Sequence, residues 1–339
     1  MGKRLFLAPM LDVTTPQFRK FIRLTCDEVT LYSEMIVAEY ILHNDNYIDR
    51  FGEYDDNTVI QIGGSNPINI SSAIQRIIDN SKFRNFNLNC GCPSSRVQSG
   101  CFGAVLMKDV DLVINILNKV YMDTNIIMSI KCRIGVDNQD DYIFIYNFIH
   151  RIITETKTTE FHIHARKCWL KGLSPAQNRT IPPLNYERVY KLKEDFKHLT
   201  IILNGGITDF THCNNLDGIM IGREAIKDPF VFHKIIQHTK LEHYDNIDDD
   251  KNEIGYNDDK DEIRYNNDNN GSTLDHYEDS GNNEGNIKEN NKDTLSHHNN
   301  NKITSNHHNN NDITILNNVN KITLEYKYKI IKEYFKDIN

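Results

Sequence analysis

The 339-residue chain lacks any long hydrophobic run. A membrane-spanning helix needs about 18 or more consecutive apolar residues, and no stretch approaches that length. The apolar part of the amino-terminal stretch MGKRLFLAPM is also too short to serve as a secretory signal. We therefore expect a cytoplasmic protein with no membrane partner, and no obligate protein partner is evident from the sequence.

The chain also lacks a C-x2-C pair, the spacing that structural zinc sites use. Three of its seven cysteines, Cys90, Cys92 and Cys101, share one segment with a different spacing, and we predict no metal site there. An odd number of cysteines is typical of a reducing compartment, where thiols stay free. Pro93 would hold the Cys92 thiol just past a strand end. That thiol could be a nucleophile, although no Cys/His signature supplies a base, or a proton donor.

Excess charge is absent from most of the chain, although the net charge is −8. Residues 1–240 contain 28 Lys and Arg against 26 Asp and Glu, whereas residues 241–320 contain 6 against 18. The acidity is thus confined to one segment, and residues 151–200 alone carry 10 basic and 5 acidic residues. The total charge therefore does not exclude a polyanionic partner.

Composition divides the chain into three parts. Residues 241–320 are rich in Asn, Asp and His and poor in apolar residues. Such a segment cannot bury enough surface to offset its conformational entropy, so we predict that it is disordered. Residues 321–339 regain a helical period of apolar residues. Residues 1–240 alternate short apolar runs with amphipathic stretches, which predicts a folded domain.

Eight short apolar runs in the first 240 residues are predicted strands. They are Leu5–Leu7, Val29–Tyr32, Val59–Ile62, Phe86–Leu88, Ile126–Ile130, Phe161–Ile163, Ile201–Leu203 and Ile219–Ile221. Eight strands separated by helices over this length predict an α/β fold, a (β/α)8 TIM barrel. A doubly wound parallel sheet is the alternative.

Polar or glycine-rich groups follow every predicted strand. They are Ala8-Pro9-Met10, Ser33-Glu34-Met35, Gly63-Gly64, Asn89-Cys90-Gly91-Cys92-Pro93, Lys131-Cys132-Arg133, His164-Ala165-Arg166, Asn204-Gly205-Gly206 and Gly222-Arg223. Barrel enzymes build their sites at the carboxyl ends of their strands, and the opposite ends of these strands offer no comparable series. The sequence thus predicts an active site at that face of the barrel.

Glycines after the seventh and eighth strands, in ILNGGI and IMIGREA, occupy the usual phosphate position of such barrels. Glycine lets backbone N–H groups approach phosphate oxygens, and Arg223 adds a charged donor, although tight turns also favour glycine. Lys131 and His164 end neighbouring strands and could stabilise negative charge on a planar ring, with Gln61 at the edge of that ring. A solvated lysine and a structural histidine are the alternative.

A basic stretch follows the sixth strand, and its cations Arg166, Lys167, Lys171 and Arg179 are interleaved with Trp169. Cations suit a nucleic-acid backbone, and an aromatic ring offers a surface on which a base can stack. A basic loop leading into an amphipathic helix would have a similar sequence.

Together these motifs resemble the tRNA-dihydrouridine synthases, and most closely the DusA type. The matching segments are APMLDVT, LYSEM, QIGGSNP, NLNCGCPSSRVQSGCFGAVLM, IKCRIGVDNQDDY, IHARKCWLKGLSPAQNRTIPPLNYERV, LNGGI and DGIMIGREA. They occur in family order over nearly all of residues 4–230. The resemblance implies reduction of uridine to 5,6-dihydrouridine in the D-loop of tRNA, at positions 20 and 20a. It implies FMN as cofactor, with NADPH or NADH as the reductant.

The resemblance also implies roles for individual residues. Cys92 would be the catalytic acid that protonates C5 of the uracil ring, while hydride from FMN reaches C6. The residues implied to bind the cofactor are Ala8, Pro9, Met10, Gln61, Lys131, His164, Asn204, Gly205, Gly206, Gly222 and Arg223. The residues implied to bind the substrate are Asn89, Arg133, Arg166, Lys167 and Arg179.

The domain organisation differs from the family pattern at the carboxyl end. Residues 1–240 would form the FMN-binding catalytic barrel and residues 241–320 a disordered insert. The family adds a small helical domain that binds tRNA, and residues 321–339 resemble only its first helix, which would make that domain truncated here. Two other functions stay open: a flavin-dependent oxidoreductase of a free pyrimidine, and a relative that binds RNA or flavin without turnover.

Overall fold

Eight parallel strands form one sheet in the computed structural model, which describes residues 2–238. The strands are β1 (Arg4–Leu7), β2 (Leu31–Val37), β3 (Thr58–Gly63), β4 (Phe86–Asn89), β5 (Ser129–Arg133), β6 (Glu160–His164), β7 (Thr200–Asn204) and β8 (Gly218–Ile221). Their spatial order is β1-β8-β7-β6-β5-β4-β3-β2. The sheet closes just before β2, where the Leu7 N–H donates to Thr30 O and the Thr30 N–H donates to Leu5 O, each at 2.9 Å. The prediction of a TIM barrel is confirmed, and the alternative, a doubly wound sheet, is wrong.

Helices follow the strands and cover the outside of the barrel. They are α1 (Pro16–Thr25), α2 (Ala38–His43), α3 (Pro67–Asn80), α4 (Ser95–Ser99), α5 (Val110–Thr124), α6 (Tyr142–Glu155), α7 (Tyr186–Asp195) and α8 (Arg223–Lys227). The start of α3 shows the local cause: Asn66 Oδ1 accepts two backbone N–H groups of the first turn, and Pro67 follows. Ile70, Ile74 and Ile77 then lie on one buried face, at the spacing of an amphipathic helix.

The second strand begins and ends later than the sequence predicts. It spans Leu31–Val37 rather than Val29–Tyr32, so that Ser33, Glu34 and Met35 lie within β2 and not after it. The prediction failed because polar side chains interrupt the apolar run. The structure satisfies them: Glu34 Oε1 accepts the Asp12 N–H at 2.6 Å, and a register shift against β3 absorbs the irregularity.

The fifth strand is also displaced toward the carboxyl end. It spans Ser129–Arg133 rather than Ile126–Ile130, which places Lys131 and Arg133 inside the strand. The preceding helix α5 ends at Thr124, and its C-cap residue Asn125, with a φ of 58°, turns the chain before the strand can begin. Two cations therefore belong to β5 itself, at alternate positions along one face.

The interior of the barrel is filled by side chains. Phe6, Tyr32, Val59, Ile202 and Met220 belong to a buried cluster separate from the larger core that the helices cover. Since the centre is packed, a ligand can approach the inward-pointing polar groups only at an end of the barrel.

A buried histidine extends this packing toward the amino-terminal end. His162 Nε2 lies 2.8 Å from both Tyr32 Oη and Glu160 Oε1, and burial lowers the pKa of His162. His162 thus gives Tyr32 and Glu160 a shared partner, although its own Nδ1 has none among the described residues. Because the ring lies inside the packed barrel, we assign it a packing role.

The predicted insert of residues 241–320 and the predicted helix of residues 321–339 lie outside the described residues. Within residues 2–238, no helix has both the length and the apolar character needed to cross a membrane.

Candidate active site

Polar side chains from five neighbouring strands meet at the carboxyl ends of the barrel strands. Asn89, His164 and Asn204 are the last residues of β4, β6 and β7, while Gln61 and Lys131 lie two residues before the ends of β3 and β5. These are the positions that the sequence predicts for a site.

Four side chains form a continuous hydrogen-bonded row below this face. Asn89 Nδ2 donates to Gln61 Oε1, Gln61 Nε2 donates to Asn87 Oδ1, and Asn87 Nδ2 donates to Ser129 Oγ, each at 2.8 Å. We call these residues the amide row. Asn89, Gln61 and Asn87 are all buried, and Asn87 is a residue that the sequence analysis missed. The alternation of Asn87 and Asn89 in one strand places both on the same face, and it is the signal that could have identified Asn87.

The direction of the amide row is set at its upper end. Asn89 Oδ1 accepts the backbone N–H of Gly91 at 3.1 Å and that of Cys92 at 3.0 Å. Backbone N–H groups can only donate, so Asn89 must direct its NH2 group at Gln61, and each later amide is oriented in turn. Asn89 thereby holds the turn that carries Cys92.

Cys92 lies half-buried at the mouth of the barrel, among cationic side chains. Its carbonyl accepts the Ala104 N–H at 2.9 Å, and a Cβ on Gly103 would lie 2.5 Å from that carbonyl, so a glycine is needed there. Desolvation lowers the pKa of three cations of the barrel mouth, Lys131, Arg133 and, although more exposed, Arg179, and a Cys92 thiolate would oppose that change in each. The thiol is therefore within electrostatic range of all three.

The other two cysteines of the same segment have different surroundings. Cys90 is fully buried, and burial raises the pKa of its thiol well above the ordinary value. Cys101 is exposed and has a φ of 55°. Neither Cys90 nor Cys101 appears among the groups that influence the cations of the barrel mouth. Among the three, Cys92 has the position that a catalytic thiol requires.

Lys131 is held inside the barrel. Its Nζ donates to Asn204 Oδ1 at 2.9 Å, and Asn204 Nδ2 donates to the Met220 carbonyl at 2.7 Å. Burial and, to a lesser extent, the charge of Arg133 lower the pKa of Lys131 to about 8. Among the described residues, no carboxylate forms an ion pair with Lys131. An anionic ligand would supply the missing counter-charge.

His164 and Arg166 each carry a buried nitrogen without a hydrogen-bond partner in the described part of the chain: His164 Nδ1 and Arg166 Nε. Burial, followed by the charges of Arg133 and Lys131, holds the pKa of His164 well below its usual range. His164 is therefore neutral, and it can offer a hydrogen bond to a ligand but no positive charge. Unpaired buried polar atoms are costly, which marks this as a place where a polar ligand would bind.

The glycine pair after β7 adopts backbone conformations that favour glycine. Gly205 and Gly206 have φ values of 113° and 70°, and a Cβ on Gly206 would lie 2.9 Å from Leu184 Cδ1. The Tyr186 hydroxyl donates to the Gly205 carbonyl at 2.7 Å and fixes the turn. The pair thus forms a tight turn at the position where barrels bind phosphate.

The ends of β8 and β1 adjoin each other at this face. A Cβ on Gly222 would lie 3.5 Å from both Ala8 Cβ and Met10 Sδ, and Pro9 lies between the latter two residues in sequence. Arg223 Nη2 donates to the Arg179 carbonyl at 3.2 Å. The structure thus groups the predicted cofactor residues of β1 and β8 beside one another.

The predicted substrate residues have less uniform surroundings. Arg133 is buried and donates to three backbone carbonyls, those of Gly91 at 2.8 Å and of Lys167 and Asn178 at 3.2 Å each. Lys167 forms an ion pair with Asp140 at 2.6 Å. Arg133 therefore joins loops together, and the charge of Lys167 is partly balanced.

The cation of Lys167 also lies 4.4 Å from the centre of the Trp169 ring. Arg179, in contrast, is exposed, and it forms no ion pair with a carboxylate of the described residues. Of the residues predicted to bind substrate, Arg179 is thus the one whose charge is most available to an approaching anion.

A cavity of about 800 Å³ lies elsewhere, between α1 and residues 48–58, and it contains none of the predicted site residues. Its charges are already paired in part, because Arg23 bonds Asp55 at 2.8 Å and Lys20 bonds Glu53 at 3.1 Å. We therefore place the site at the barrel mouth.

A closed parallel barrel defines a protein of the TIM-barrel class. Cations without carboxylate partners among the described residues, and a half-buried thiol, lie at the carboxyl ends of its strands and would suit an anionic ligand. The profile of the family described as dihydrouridine synthase (Dus) matches residues 6–319 of this chain. That match covers most of its length. The chain belongs to the dihydrouridine synthase family.

Individual relatives agree with the family match. The tRNA-dihydrouridine(20/20a) synthase of Vibrio parahaemolyticus is 41% identical over 238 residues, 69% of this chain and 73% of that protein. The protein of the same name from Shewanella oneidensis is 42% identical over 235 residues, 68% of this chain and 70% of that protein. That from Salmonella typhi is 41% identical over 230 residues, 67% of this chain and 69% of that protein.

Proposed function

We propose that this protein is a tRNA-dihydrouridine synthase that reduces uridine to 5,6-dihydrouridine in the D-loop of tRNA, at positions 20 and 20a. The observation that carries the proposal is the placement of Cys92: Asn89 holds its turn at the mouth of the barrel, beside Lys131 and Arg179. The names of the relatives support the substrate. The barrel of residues 1–240 is proposed as the catalytic domain, residues 241–320 as an insert, and residues 321–339 as the start of a tRNA-binding domain.

The residues at the barrel mouth fit a flavin mononucleotide. Gly205, Gly206 and Arg223 would hold its phosphate, where a tight turn and a guanidinium provide N–H donors. The buried His164 Nδ1 lacks a partner within the described residues and would donate to or accept from the polar edge of the ligand. Ala8, Pro9, Met10, Gly222 and Asn204 complete the proposed binding surface.

Lys131 supplies charge complementarity to the ring. Its ammonium lacks a carboxylate partner among the described residues, so a negatively charged ring would raise its pKa again from about 8. Gln61 is oriented by the amide row and meets the ring edge with a fixed direction of hydrogen bonding. When bound, the flavin supplies hydride to C6 of the uracil ring, and NADPH or NADH regenerates it.

Cys92 supplies the second hydrogen. Addition of hydride at C6 leaves an electron pair at C5, and the thiol of Cys92 donates its proton there, so that the C5=C6 double bond is reduced by two electrons and two hydrogens are added. The resulting thiolate, which Lys131, Arg133 and Arg179 would stabilise, then regains a proton from solvent. Asn89, at the base of the same turn, is proposed to hold the base in place.

The loop after β6 is proposed to contact the RNA. It carries Arg166, Lys167, Trp169, Lys171 and Arg179, and Arg179 and Lys171 are exposed. Exposed cations suit phosphates, and a target base must leave its stack to reach a site at the mouth of a barrel. This arrangement favours a nucleic-acid substrate over a free pyrimidine.

Replacing the proposed acid tests the function directly. Cys92→Ala should retain flavin, seen as absorbance of the purified protein, and should form no dihydrouridine when unmodified tRNA and NADPH are supplied and the nucleosides are measured by mass spectrometry. Cys101→Ala is the matched control, because it removes an exposed thiol from the same segment and should keep full activity. Full activity of the Cys92 variant, or wild-type protein that reduces free uracil but not tRNA, would contradict the proposal.

A further inference from the structure

Gln98 connects two loops of the barrel mouth. Its Nε2 donates to the Pro93 carbonyl at 2.9 Å and to the Leu170 carbonyl at 2.7 Å. Pro93 directly follows Cys92, and Leu170 directly follows Trp169 in the loop after β6. Carbonyl oxygens can only accept, so both hydrogens of the Gln98 amide are committed and its orientation is unambiguous.

The two residues that Gln98 bonds belong to two loops, and further hydrogen bonds hold each of these loops in place. On the side of the acid, α4 carries Gln98, and its continuation is tied to the loop after β3, where the Ser65 hydroxyl donates to Gly100 O at 2.9 Å. On the other side, Asn178 accepts the Trp169 N–H at 2.8 Å and donates to the Trp169 carbonyl at 2.9 Å. The bond from Gln98 to Leu170 therefore joins two locally ordered loops.

A second connection between the same loops lies deeper. Arg133 Nε donates to the Gly91 carbonyl, and its Nη1 donates to the Lys167 carbonyl. Arg133 would continue to join the loops in the absence of Gln98. Removal of the Gln98 amide should consequently change the placement of the short helix α4 and of Pro93, while the barrel and the strand ends stay as they are.

We propose that Gln98 is a positioning residue that couples the RNA-contacting loop after β6 to the placement of the Cys92 thiol. A contact of RNA with Trp169 or Lys171 is transmitted through the Leu170 carbonyl and the Gln98 amide to the residue next to the acid. The inference rests on the proposed function. It predicts that Gln98 matters for proton delivery to the base and not for the flavin site, because the residues that Gln98 bonds within residues 2–238 include none proposed to hold flavin.

The test measures two half-reactions of the full-length flavin-loaded protein separately: the reduction of flavin by NADPH, and the oxidation of reduced flavin by tRNA. Gln98→Leu should slow the oxidation of pre-reduced flavin by unmodified tRNA by about 10- to 100-fold, the size of effect expected when a reacting group is misplaced by about 1 Å. The rate of flavin reduction by NADPH and the Kd for tRNA should be unchanged. Gln75→Leu is the matched control, because Gln75 is a half-buried glutamine on α3 whose side chain bonds only Asp79 among the described residues.

A conservative variant provides a signature that general destabilisation would not. In Gln98→Glu, the ionised carboxylate is repelled by the two carbonyl oxygens that the amide of Gln98 bonds. When the carboxyl group is protonated, its O–H can donate a hydrogen bond to one of those carbonyls. Its activity relative to wild type should therefore increase as the pH is lowered from 8 toward 5. The activity of Gln98→Leu relative to wild type should not depend on pH.

The outcomes distinguish this inference from the proposed function. If wild-type protein does not transfer hydride to tRNA at all, the proposed function fails. If wild type is active and Gln98→Leu matches Gln75→Leu in both half-reactions, the coupling role of Gln98 is refuted. A Gln98→Leu protein that loses flavin, or whose two half-reactions slow equally, would also refute it, because Gln98 would then act on the fold in general.

Discussion

Replacing Lys131 by methionine is expected to stabilise the cofactor-free protein at neutral pH. Burial lowers the pKa of Lys131 from 10.5 to about 8. Since a change of one in a pKa corresponds to about 1.4 kcal/mol, holding the charged form inside the fold costs about 3 kcal/mol. Methionine removes this cost and keeps most of the apolar stem.

The gain is reduced by the loss of one hydrogen bond. Lys131 Nζ donates to Asn204 Oδ1 at 2.9 Å, and such a bond contributes about 1 kcal/mol net. We therefore expect Lys131→Met to increase the free energy of unfolding by about 2 kcal/mol at pH 7. A gain in stability is unusual for the loss of a polar side chain with a hydrogen-bond partner.

The pH dependence makes the reasoning testable. Below pH 8 the lysine is protonated in both the folded and the unfolded protein, and the full cost applies. Between pH 8 and 10.5 the unfolded protein binds the proton and the folded protein does not, so the stability of wild type rises with pH relative to the variant. The advantage of the variant should shrink over this interval and reverse near its upper end, where only the lost hydrogen bond remains.

Urea denaturation of wild type and Lys131→Met, at pH values from 7 to 10.5 and without flavin, measures this difference. Lys119→Met is the matched control: Lys119 lies on the surface of α5 in an ion pair with Asp123 at 2.9 Å, and its loss should change stability by less than about 1 kcal/mol. A variant that is less stable than wild type at pH 7, or a difference that does not change with pH, would refute the assignment of a buried, uncompensated ammonium.

Two further predictions concern the amide row and the glycine turn. Asn87→Leu should lower the free energy of unfolding, measured by urea denaturation, by about 1 to 3 kcal/mol, because it leaves the buried Gln61 amide without its acceptor. An unchanged midpoint of the urea transition would contradict the continuity of the amide row. Gly206→Ala should weaken FMN binding, measured by fluorescence titration, at least tenfold more than Gly172→Ala does. Both glycines have positive φ, but an added Cβ meets Leu184 only at Gly206, and nothing lies within 4 Å of Gly172; equal effects would show that the space at Gly206 is unimportant.

Much of the fold could be predicted because local patterns repeat regularly along the chain. All eight predicted strands overlap their observed counterparts by at least two residues, and the polar groups predicted at strand ends lie at the carboxyl-terminal face of the barrel. The errors occurred where inward-pointing polar residues interrupt apolar runs. Glu34 in β2 and Lys131 in β5 lie within strands because partners from elsewhere in the fold satisfy them: the Asp12 N–H for Glu34 and Asn204 for Lys131.

The sequence by itself determined the order of strands and helices, the glycines of the turn after β7 and the thiol next to Pro93, since each depends on neighbours along the chain. Only the tertiary structure decided that His164 is neutral, that Asn87 belongs to the amide row, and that Gln98 joins the loop of Cys92 to the loop after β6. The physical reason is that charge state and hydrogen-bond direction depend on burial and on partners far away in sequence. Those partners meet only when the barrel closes.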